Sequence, residues 1–69
     1  MRIGRTIWQN IVGEMKRQSI KPEEMMTAMH VSKNTYYRRS NDPDSLRVEE
    51  IERASRFLNK TILDLLKEI

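Results

Sequence analysis

Apolar residues recur at helical intervals from the start of this chain. Ile3, Ile7, Trp8, Ile11, Val12 and Met15 fall three or four positions apart, which predicts an amphipathic helix over about residues 5–18. Trp8, the largest of them, reads as a core anchor. Pro22 suits the first residue of a second helix, where a missing N–H costs nothing, and Glu23 and Glu24 fall in its positive first turn. That helix runs to about Met29, with Met25, Met26 and Met29 turned inward as core filling. Ser32 is a good N-cap for a third helix from Lys33 to about Ser40, which Asn41, Asp42 and Pro43 end, Asn41 being suited to a left-handed cap. A fourth helix over about 48–58 would bury Val48, Ile51, Ala54, Phe57 and Leu58. A short fifth helix from about Thr61 carries Ile62, Leu63, Leu65, Leu66 and Ile69. Five short helices in 69 residues favour an all-α, compact orthogonal bundle over long parallel rods.

With 38% hydrophobic residues the chain can build one modest core, a single domain over residues 1–69 with no room for a separate sensory domain. The absence of cysteine excludes disulfides, thiolate metal sites and a cysteine nucleophile. No apolar run exceeds two residues, so neither a membrane span nor a signal-peptide core is expected, and a cytoplasmic protein is. No carboxylate pair is singled out by its neighbours, one histidine is present and no glycine-rich phosphate loop occurs, so an enzyme, a metal site, a cofactor and a small-molecule ligand are not expected.

The net charge of +3 is unevenly spread. Residues 1–41 carry eight Lys/Arg against three Asp/Glu, and residues 42–69 five against seven. From His30 to Asn41 there are three bases and no acid, a polarity that fits a polyanion on one face of the fold. This basic stretch closes the segment PEEMMTAMHVSKNTYYRRSN, residues 22–41, in which two short helices meet across Met29-His30-Val31-Ser32. So short a link makes a tight turn, hence a helix-turn-helix. His30 falls where the turn needs a positive φ, a position histidine tolerates better than most residues. Met25, Met29, Val31 and Tyr36 would clamp the two helices together. Lys33, Asn34, Tyr37, Arg38 and Asn41 would then face outward, and Lys, Arg and Asn pair well with base edges in a major groove. Arg39 is expected to extend along the surface or pair with Glu49 or Glu50 rather than meet a base.

The chain resembles the Cro and phage-repressor (Xre-like) helix-turn-helix family. The likeness rests on Glu24-Met25, on Val31-Ser32-Lys33-Asn34-Thr35-Tyr36, where the family often reads V-S-x-x-T-I, and on Ile51-Glu52-Arg53-Ala54 to Leu58. It closes on Thr61-Ile62-Leu63-Asp64-Leu65-Leu66, where the family has an S-L-D-E-L-L segment, and so covers about residues 5–66. The resemblance implies a lambda-repressor-like fold and base contacts from Lys33, Asn34, Tyr37 and Arg38. It also implies backbone contacts near helix starts and after the recognition helix, for which Arg2, Arg5, Lys21, Ser32, Thr35, Asn41 and Arg47 are the candidates. The sequence departs from the family pattern in four places. Met26 replaces a small Ala and should ease the helices apart, His30 replaces the turn Gly, Arg39 replaces an aromatic or Leu, and Pro22 replaces a polar residue.

These features lead to an expectation of sequence-specific binding to double-stranded DNA by a small phage- or plasmid-type transcriptional regulator. The alternative is a helix-turn-helix scaffold that binds an acidic protein, as a small inhibitor or adaptor would. RNA binding has no module signature here. One recognition helix reads few base pairs, so a homodimer on a two-fold site is expected, with Leu63 and Ile69 at its seam.

Overall fold

In the computed structural model, which describes residues 3–67, α1 runs Ile3–Arg17, α2 Pro22–Met29, α3 Lys33–Asn41, α4 Val48–Phe57 and α5 Ile62–Leu65. A 3₁₀ turn, Pro43–Ser45, joins α3 to α4. The architecture is an all-helical bundle measuring 26 × 23 × 18 Å.

Local chemistry fixes the helix starts. The Ser32 hydroxyl accepts the Thr35 N–H at 3.2 Å, as an N-cap should. At α2, α4 and α5 an acid three residues along accepts the N-cap amide: Lys21 N–H to Glu24, Arg47 N–H to Glu50 and Thr61 N–H to Asp64. Thr61 completes the reciprocal box by accepting the Asp64 N–H at 3.1 Å. The helix ends repeat one device. Ser19, His30 and Asn59 adopt φ of 57°, 61° and 59° just after α1, α2 and α4. The next amides, of Ile20, Val31 and Lys60, reach back five residues to Met15, Met26 and Ser55 carbonyls. These are Schellman motifs, and none of the three uses glycine.

The core gathers Ile7, Trp8, Ile11 and Met15 of α1 with the three α2 methionines, Tyr36, Ala54, Leu58 and Leu65. The Trp8 and Tyr36 rings meet edge to face at 5.2 Å, and the Tyr36 hydroxyl donates to Met15 Sδ at 3.7 Å. Burial in this apolar setting pushes the Tyr36 hydroxyl above its ordinary pKa, with Tyr37 and Glu23 adding to the rise. Met26 is accommodated at the core's edge beside Met25 and Met29. The chain's end is fastened to its start by Asn10, whose amide donates to the Leu65 and Lys67 carbonyls, both at 2.7 Å.

Several sequence expectations need correction. The first helix spans 3–17 rather than 5–18, and Ile3 lies exposed at its open end. Asn41 stays helical, and α3 is closed by Asp42 at φ −137°, which the following Pro43 keeps out of the helical region. Val48 and Phe57 are 64% and 44% exposed instead of buried, because the inward face of α4 includes Glu50 and Ser55. On α5 Leu65 is buried, while Ile62 and Leu66 are partly exposed. Arg2 and Ile69 lie outside the described residues.

Candidate nucleic-acid interface

α3 reads KNTYYRRSN, and only Tyr36 and Arg39 of these nine residues are buried. Tyr36 enters the core against Trp8, which fixes the rotation of the helix about its axis. Lys33, Asn34, Tyr37, Arg38 and Asn41 are consequently all exposed, at spacings of three or four residues that make one continuous outer face. Tyr37 stacks edge-on against Tyr36 at 5.4 Å while leaving 47% of its surface open. At the head of α3, Ser32 and Thr35 are engaged with each other, since the Ser32 hydroxyl also donates to Thr35 Oγ1 at 3.0 Å. The first-turn amides of Lys33 and Asn34 have no acceptor within the helix, as first-turn amides do not.

Beside this face lies an open depression of about 400 Å³, where the heads of α3 and α4 approach the turn after α2. Ser32, Thr35, Arg38, Arg47 and Arg53 line it together with His30, Glu49 and the Arg39–Glu50 pair. Arg39 is 8% and Glu50 6% exposed. Their contact is bidentate, with Arg39 Nε on Oε1 at 2.9 Å and Nη2 on Oε2 at 3.0 Å. Burial alone would push the Glu50 carboxyl upward. The Arg39 hydrogen bonds, the Arg47 N–H and both guanidinium charges outweigh it and hold the carboxyl below its ordinary range. The Arg39 charge is thus spoken for, so the unneutralised charge of the depression comes from Arg38, Arg47 and Arg53, opposed by Glu49.

The sequence-predicted residues are brought together unequally. Ser32, Thr35, Arg38 and Arg47 share the depression, with Lys33, Asn34, Tyr37 and Asn41 on the adjoining helix face. Lys21 and Arg5 are exposed at or near the heads of α2 and α1, and neither lines the depression. Arg53 was missed from the sequence. Its Nη1 donates to the Met29 carbonyl at 3.4 Å, the negative end of α2, which holds the side chain across to the depression. No local pattern marks it, because the meeting of α4 with the end of α2 is tertiary.

The model of the antitoxin Xre-like helix-turn-helix domain family matches residues 12–59, more than half of the 69. The chain belongs to this family. The match takes in the last turns of α1, the α2–turn–α3 pair and all of α4, so the whole outer face and depression lie inside it. Xre-like helix-turn-helix domains are DNA-binding regulatory domains. No curated protein and no solved structure matches the chain. Among the described residues of this Xre-like domain, no helix is long and apolar enough to cross a membrane, and no cluster of three or more His, Asp or Glu could hold a metal ion.

Proposed function

We propose that this Xre-like domain binds double-stranded DNA sequence-specifically, with α3 in the major groove, as a small transcriptional regulator. The observation that carries this reading is the outer face of Lys33, Asn34, Tyr37 and Arg38 beside a depression to which Arg38, Arg47 and Arg53 bring positive charge. Base edges are read by the first group, as Lys and Arg donate to guanine and Asn pairs with adenine. Phosphates are held by Arg47 and Arg53, by the open amides at the head of α3, and by Lys21, Arg5 and Asn41 at the margins. The domain folds as one unit. Selection from random duplexes, followed by binding at two salt concentrations, tests the reading: a defined site and a steep salt dependence are expected. Weak, sequence-blind binding would overturn it.

A two-fold site needs two copies, and we place the contact at the α4–α5 end. Leu63 is 73% exposed there, and Phe57 of α4, Ile62 and Leu66 are partly exposed as well. Sedimentation with and without operator DNA should show a second copy joining on the site, and Leu63→Asp should remove it. The family description names antitoxins, and a protein partner at that same apolar end is a second reading. A Leu63→Asp chain that still binds its operator as two copies would move the self-contact elsewhere and leave that end to such a partner.

A further inference from the structure

Beyond Tyr36 the second half of α3 buries no apolar side chain, and Tyr37 is half exposed. After Tyr36 the helix continues Tyr-Arg-Arg-Ser-Asn, and Arg39 is its one buried side chain. The outer face there must nevertheless be aimed, since Tyr37, Arg38 and Asn41 all belong to it. The geometry points to Arg39 as a positioning residue that sets the angle of the recognition helix through Glu50, an inference that rests on the DNA-binding reading.

One guanidinium ties three segments together. Nε and Nη2 grip the Glu50 carboxylate in the first turn of α4. Nη1 donates to Ser45 Oγ at 3.3 Å, and that hydroxyl donates to the Asp42 carbonyl at 2.6 Å, closing the link behind α3. Glu50 Oε1 also accepts the Arg47 N–H at 3.0 Å. A single carboxylate oxygen therefore joins the last turn of the helix that reads bases to the residue assigned to phosphate. Rotating α3 would break a planar, two-pronged contact inside the protein, and a planar fork resists rotation where an apolar contact would slide. Buried ion pairs seldom stabilise more than an apolar pair of similar size, so stability alone gives little reason for this one. Arg39 itself is buried and neutralised by Glu50, which separates its role from that of the exposed Arg38 next to it.

The test replaces the pair while keeping the helix cap. In Arg39→Met/Glu50→Gln, Met fills the space and Gln still accepts the Arg47 N–H, so a folded domain is expected. In the free protein, amide exchange in the last turn of α3 should quicken while that of α1 stays unchanged. On DNA, the ratio of cognate to random affinity should fall about tenfold, roughly the discrimination of one base contact, at an unaltered salt slope. Arg39→Lys, which keeps the charge but not the fork, should show the same two changes to a smaller extent, and it serves if the double variant does not fold. An unchanged ratio and unchanged exchange in a folded variant would overturn the inference. A salt slope lower by about one unit would do so too, by making Arg39 a phosphate ligand. Wild-type protein without any cognate preference would sink the DNA reading instead, and the exchange experiment would still decide whether Arg39 anchors α3.

Discussion

Gly4 and Pro43 approach so closely that a Cβ on Gly4 would stand 2.5 Å from the Pro43 carbonyl oxygen and 2.6 Å from Asp44 Oδ1. The first turn of α1 therefore docks directly on the 3₁₀ turn that follows α3. A side chain of any size must push backbone aside. Gly4→Ala should destabilise the domain by about 1–3 kcal/mol, as overpacking does, despite the better helix propensity of alanine. Thermal melts of the two proteins check this, and an unchanged or higher Tm would show that the turn yields freely.

Acid should act on this domain through Glu50. Unfolded, the carboxyl titrates near the ordinary 4.5, and in the folded protein it is held lower. Between those two values the unfolded chain binds more protons, so stability falls as pH drops. The contribution is complete above the unfolded value and disappears as pH passes down through the folded one. Glu14, lowered chiefly by its Arg17 hydrogen bond, adds to the same limb. Glu50→Gln should flatten the loss of stability with acid by up to about one proton. Denaturant unfolding at a series of acid pH values measures it, and parallel curves for both proteins would refute it.

Arg38 and Arg53 should behave differently on DNA. Arg38→Ala should weaken cognate binding by about 1–3 kcal/mol, with a smaller loss on random sequence. Arg53→Gln should weaken both alike and lower the salt slope by roughly one unit. Equal losses on both DNAs for Arg38→Ala would move that residue to the backbone. An unaltered slope for Arg53→Gln would leave it holding only the Met29 carbonyl.

His30 sits at φ 61° and ψ 42°, a conformation glycine adopts without strain. Relief of roughly 1–2 kcal/mol on His30→Gly is offset by about 0.4–1 kcal/mol of extra freedom in the unfolded chain. A net gain of about 0.5–1 kcal/mol should appear as a higher Tm. A lower Tm would mean that the imidazole makes a stabilising contact at the turn.

Where a feature depends on neighbours in the chain, the sequence showed it. Pro22 and Ser32 mark the starts of α2 and α3 within one residue, because a ring without N–H and a capping hydroxyl act locally. The heptad-like spacing of α1 likewise exposed its buried face. Hydrophobic periodicity failed on α4, where Glu50 takes an inward position that an apolar residue would have claimed. Arg39 across the fold and the Arg47 N–H make that burial tolerable. The sequence offered Glu50 as one of two partners for Arg39, but no pattern within α4 announces that it turns inward. Arg53 was hidden for the same reason. The outward set on α3 was readable because Tyr36 is the only large apolar side chain available to face the core at the right spacing, but its chemistry toward DNA rests on the family and the proposal above.

The three turns at Ser19, His30 and Asn59 carry a consequence for how relatives of this domain can be found. Each is held by the backbone, through a pair of reverse hydrogen bonds, and the residue at its apex has only to tolerate a positive φ. Serine, histidine and asparagine already serve in one chain, so the apex identity can change over evolutionary time while the helical path is retained. A search pattern that insists on glycine between the two helices of the motif would pass over this protein, though its backbone there follows the course such a glycine would take.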